Sequence, residues 1–83
     1  MKDKISDQEM GDVVGGVISQ EDALKKALDY VQITAADYVS EIELDYEHGH
    51  QVYEIKFYKD NMEYEFNVDA ENGNILKFEK DWD

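Results

Sequence analysis

YEIKFYKDNMEYEFNV, residues 53–68, alternates apolar and polar side chains on both sides of the dipeptide Asp60-Asn61. Tyr53, Ile55 and Phe57 alternate with Glu54, Lys56 and Tyr58; Met62, Tyr64, Phe66 and Val68 alternate with Glu63, Glu65 and Asn67. A period of two belongs to strands that bury one face. Asp and Asn both tolerate positive φ, so Asp60-Asn61 reads as a two-residue hairpin loop. The register then sets Phe57 opposite Tyr64, Ile55 opposite Phe66 and Tyr53 opposite Val68 on one face. Lys56 faces Glu65 on the other, a favourable cross-strand pair.

The same period extends outward from this hairpin. Upstream, Ile42, Leu44 and Tyr46 alternate with Glu41, Glu43 and Asp45, and Gly49 supplies the turn into the next strand. Downstream, Leu76 and Phe78 alternate with Lys77 and Glu79, with Trp82 in phase. Asn72-Gly73 makes the last turn and sets Val68 near Leu76 and Phe66 near Phe78. Tyr46, Tyr53, Tyr64, Phe57, Phe66, Phe78 and Trp82 all fall in the inward phase and are expected in the core.

Ahead of the strands, Ser19-Gln20-Glu21-Asp22 has the form of a helix capping box, with Ile18 placed to staple onto Ala23. A helix is expected from about Gln20 to Val31, with Ala23, Leu24, Ala27, Leu28 and Val31 on one face. Thr34-Ala35-Ala36-Asp37 repeats the capping pattern and predicts one further short helical turn. One long helix and four inward rows on one side give an α+β fold. It is a two-layer sandwich of one main helix on a four-stranded antiparallel meander.

Charge narrows the partners. The chain has 21 acidic and 8 basic residues, a net charge of −13, and no cysteine or proline. Such a surface repels phosphate backbones, so neither nucleic acid nor an anionic membrane is an expected partner. No apolar run is long enough for membrane insertion. The outer sheet face gathers Glu41, Glu43, Asp45, Glu54, Glu63, Glu65 and Glu79, relieved mainly by Lys56 and Lys77. Tyr58 stands among these acids, which makes Tyr58, Glu54, Glu63 and Glu65 the candidate partner contacts.

No cofactor, metal or catalytic residue is expected. Glu47-His48-Gly49-His50 offers two histidines and a carboxylate but no fourth ligand nearby in sequence. Asp69-Ala70-Glu71-Asn72-Gly73 has alternating oxygen ligands like a calcium loop, yet it lacks the distal bidentate glutamate, and a hairpin turn explains each residue. There is no cysteine nucleophile, no glycine-rich phosphate cradle and no Ser–His nucleophile motif. Carboxylates on an open wet face lack the burial that separates their pKa values.

ISQEDALKKAL, EIELDYEHGHQVYEIKF and EYEFNVDAENGNILKFEKDWD together make residues 18–82 resemble a PepSY domain. Val68-Asp69-Ala70-Glu71-Asn72-Gly73-Asn74-Ile75-Leu76 is the stretch most similar to that family's aspartate-alanine-x-x-glycine-x-isoleucine-leucine turn. PepSY domains occur in propeptides of secreted metallopeptidases, in spore-cortex lytic regulators and in stand-alone exported proteins. The resemblance implies a non-catalytic module that binds or restrains a peptidase or another envelope protein. It carries no active-site residues over to this chain.

The first 16 residues are similar to the double-glycine leaders of peptides exported by peptidase-containing ABC transporters. Ile5, Ser6, Glu9, Met10 and Val13 occupy the recognition positions, and Gly15-Gly16 the cleavage position. Ile5, Met10 and Val13 can line one side of a helix that docks in an apolar groove. Two glycines without Cβ atoms can thread a narrow protease tunnel. The division expected is a leader over residues 1–16 and a PepSY-like domain over 17–83. The precursor would be cytoplasmic and the product secreted or held at the cell surface. The alternatives are a bacteriocin-like or signalling cargo, which the acidity disfavours, and an intracellular structural module with an N-terminal arm.

Overall fold

The computed structural model describes residues 16–82. Its elements run α1 (Gln20–Tyr30), β1 (Tyr38–Glu47), β2 (His50–Lys59), β3 (Met62–Asp69) and β4 (Ile75–Trp82). The strands form one antiparallel sheet in the order β1-β2-β3-β4, with α1 on β2, β3 and β4. This is the α+β meander read from the alternation.

Local chemistry sets each boundary. Ser19 adopts extended backbone angles and its hydroxyl accepts from the Asp22 amide at 3.1 Å, capping α1. Such a cap stabilises a helix by about 1 kcal/mol. Ala23 and Ala27 are fully buried on the inner face of α1, small enough to let the helix lie close on the sheet. Asp60 and Asn61 have φ of 52° and 65°, the paired positive angles of a tight hairpin. His48 and Gly49 do the same between β1 and β2, at 51° and 80°.

The β2–β3 register matches the sequence pattern: Phe57 faces Tyr64, Ile55 faces Phe66 and Tyr53 faces Val68. Phe57, Phe66, Ile55 and Val68 are the largest fully buried side chains. Phe57 stacks on Phe66 at 5.7 Å between centroids and on Tyr64 at 5.1 Å, and Phe78 lies 5.0 Å from Phe66. Tyr30, at the helix end, meets Phe66 and Phe78 edge-on, a preferred aromatic geometry.

Four expectations are corrected. Leu44 (41% exposed), Tyr46 (67%), Phe78 (36%) and Trp82 (74%) are in the inward phase but are not core, and Leu76 (55%) is displaced from that phase by the β3–β4 register shift. The helix has 11 residues, about 16 Å, and the strands have eight to ten, about 26–33 Å, so α1 cannot reach both ends of the inner face. Second, Val68 pairs with Ile75 rather than Leu76, because the β3–β4 register shifts between Asn67 and Val68. Third, residues 34–37 form no helical turn. The Asp37 carboxylate accepts from the Asp60 amide at 3.0 Å and from Lys59, and its own amide donates to the Tyr58 carbonyl. It ties the crossover to the β2–β3 turn rather than capping a helix. Fourth, Lys56 does face Glu65, but its ammonium pairs with the diagonal Glu63 at 3.3 Å.

Candidate interaction surface

The outer face of the sheet carries the expected acids, and the register shows how they are aligned. Glu43 faces Glu54, Glu65 faces Glu79 and Glu63 faces Asp81, each a like-charged cross-strand pair. Such pairs disfavour the sheet unless the charges are screened or neutralised. Two lysines moderate the face. Lys56 bridges to Glu63 with both side chains under a third exposed, and Lys77 lies 3.7 Å from Glu79. The Glu63 hydrogen bond and charge raise the Lys56 pKa, so this cation stays protonated.

Tyr58, Glu54, Glu63 and Glu65 are all half-buried on this face. Tyr58 stacks against Tyr38 at 6.1 Å, and Tyr38 is largely exposed, so the two rings form an aromatic step at the upper end of β1 and β2. Glu63, Glu65, Glu79 and Asp81 line a cleft of about 130 Å³ between β3 and β4. The structure thus puts Glu63 and Glu65 in one acidic trough, with Tyr58 beside Glu63 across β2–β3. Glu54 belongs elsewhere.

Glu54 sits with Asp45 and Glu47, carboxylate oxygens within 4.8 Å of one another. Desolvation, then hydrogen bonding and repulsion from Glu47 and Asp45, push its pKa up to about 7. The sequence groups Glu47 with His48 and His50; the register does pair it with His50, but its carboxylate reaches Glu54, and both histidines are exposed. Continuing the alternation of β1 past Asp45 would have placed Glu47 on the outer face. Val52 was missed altogether. It shares the outer phase with Glu54, facing Asp45 and Asp69, yet it is only 2% exposed.

The loop after β3 uses its oxygens internally. Asp69 accepts from the Glu71 amide at 2.8 Å and Asn72 from the Asn74 amide at 2.9 Å, while the Gly73 amide donates to the Asp69 carbonyl. The described serines are likewise engaged: Ser19 caps α1, and the Ser40 hydroxyl donates to the Lys56 carbonyl. Among the described residues, no helix is long and apolar enough to cross a membrane. Ile5, Ser6, Glu9, Met10, Val13 and Gly15 lie outside the described residues; Gly16 is exposed with φ of 85°. The domain is anchored immediately after it. Val17 is 3% exposed, the Ile18 amide donates to the Ala70 carbonyl at 2.7 Å, and the Tyr53 hydroxyl donates to the Ile18 carbonyl at 2.7 Å.

Residues 17–79 match the family described as peptidase propeptide and YPEB domain, PepSY. The chain belongs to the PepSY family. A crystal structure described as "a putative lipoprotein" from Clostridium difficile 630 is similar to it, with a TM-score of 0.67 and 29% identity. That similarity covers 83% of this chain and 43% of the other, so this chain spans less than half of its neighbour's length. No curated protein matches the sequence.

Proposed function

We propose that this chain is an exported, non-catalytic PepSY module that binds a peptidase or another envelope protein at or beyond the cell surface. Residues 1–16 act as its leader for a peptidase-containing ABC exporter. The observation that carries this reading is a coincidence of two boundaries at one bond. The double-glycine pattern ends at Gly16 and the family match begins at Val17, which is itself 3% exposed and part of the core. The likeness to a protein described as a lipoprotein supports an extracytoplasmic setting.

The outer sheet face supplies the binding surface in this reading. Its trough of four carboxylates beside the Tyr38–Tyr58 step suits a cationic segment of a partner, with a ring to anchor it. Binding would slow or delay the peptidase by occupying its basic surface rather than by chemistry.

Mass spectrometry of the native culture tests export. A product beginning at Val17 in the medium or at the cell surface is expected; an intact chain retained in the cytoplasm would refute it. Binding and inhibition assays against co-expressed peptidases test the second half, with Glu63→Lys expected to weaken the complex. A module that neither binds nor slows any of them is not a peptidase regulator.

A further inference from the structure

Among the described residues the sheet has two unpaired edges, which differ in charge. Along β1 the charged residues are Glu41, Glu43, Asp45 and Glu47, with no cation, and a bulge interrupts the strand between Val39 and Glu41. Like charges and bulges are the usual means of keeping an edge from pairing. The β4 edge has its bulge at Leu76, opposite Val68, and from Lys77 to Trp82 its register is regular and its charges are mixed. It carries Lys77, Glu79, Lys80 and Asp81, a balanced set, in a chain of net charge −13. Its inward side adds Phe78 and Trp82, both exposed, with Lys80 between them, and Phe78 packs against Tyr30.

We infer that β4 is a self-association edge whose occupant is β4 of a second copy, paired antiparallel about a two-fold axis through Phe78. In this register Phe78 meets Phe78 of the second copy. Lys77 faces Glu79 of the second copy, and the axis repeats the pair, giving two opposite-charge contacts on the outer face. The product is an eight-stranded sheet with the acidic β1 at both ends. Repulsion at those ends stops further strand addition, so the assembly closes as a dimer and does not grow into a filament.

This inference is independent of the leader reading and is tested on the full chain. Sedimentation equilibrium is run from about 1 µM to about 1 mM, the span in which an interface of this kind associates. The wild type is expected to dimerise. Lys77→Glu and Glu79→Lys should each weaken the dimer about tenfold or more, because the axis makes each substitution alter two contacts. Glu79→Lys is the sharper of the two: it lowers the bulk negative charge, yet weaker association is expected. The double variant Lys77→Glu with Glu79→Lys should return to within about threefold of wild type, since the swapped pair is again complementary. Lys25→Glu changes net charge as Lys77→Glu does, but lies on the exposed side of α1, and should leave association within about threefold. Circular dichroism checks that each variant is folded. A wild type monomeric throughout this range, single reversals without effect, or a double variant as weak as the singles would each overturn the assignment.

Discussion

Glu54 shares its face with Asp45 and Glu47, and its folded-state pKa of about 7 lies well above the ordinary 4.5. A folded state that holds this proton more tightly than the unfolded chain gains stability as the proton binds. That contribution is complete below about 4.5 and is lost as pH rises through about 7. Asp37 acts in the opposite sense. The Asp60 amide holds its pKa below 3.8, so its contribution is present above that value and is lost as pH falls through the lower folded one. Stability should therefore peak on the acid side of neutrality. Glu54→Gln should raise Tm by several degrees at pH 8, where the wild-type carboxylate is ionised, and the two proteins should converge near pH 5. Thermal melts across that range measure it; an equal difference at both pH values would place the cause elsewhere. The alternation showed that Glu54 faces other acids. Carried one step past Asp45 it also puts Glu47 there, but the polar Glu-His-Gly-His run reads as a loop and hides that the strand continues to Glu47.

The elements were legible where local chemistry and periodicity agree. Ser19, the alternating strands and the Asp60-Asn61 turn each point to one structure at every level. Thr34–Asp37 was misread because a capping pattern and an anchored crossover use the same residue types, and a tertiary acceptor role for Asp37 depends on where Asp60 lies. The β3–β4 turn was located, but not its shifted register. Gly73 in that turn is buried with φ of 80°, and a Cβ there would lie 3.0 Å from the Lys26 side chain. Gly73→Ala should cost about 1–2 kcal/mol, chiefly from the left-handed backbone. The Lys26 chain end can move aside, so adding Lys26→Ala should recover little of the loss. Chemical denaturation of the single and double variants decides between strain and crowding; full rescue by Lys26→Ala would mean crowding.

On the scale of the molecule, pattern alone could not foresee how much of the inner face would stay bare. Periodicity assigns a residue to a face, whereas burial depends on whether another layer reaches it, and an 11-residue helix leaves Tyr46 and Trp82 beyond its ends. The same limit on size bears on the junction at Gly16. A peptidase that threads an extended chain needs residues on both sides of its bond, but Val17 is buried and Ile18 is held by Ala70 and Tyr53. In the proposed export, removal of residues 1–16 would therefore precede folding or wait for the junction to open, an event less costly than global unfolding. Tyr53→Phe deletes one of the two hydrogen bonds at Ile18, at a cost of about 1 kcal/mol, which for a domain of this size lowers Tm by about 4–8 °C. With a purified exporter peptidase domain, the folded precursor should be cut after Gly16 at least about tenfold more slowly than the same chain in urea that the peptidase tolerates. Tyr53→Phe should be cut faster than wild type under native conditions, and the two rates should meet once both chains are unfolded. Equal rates for folded and unfolded wild type would show that the junction opens freely and that folding places no order on export and cleavage.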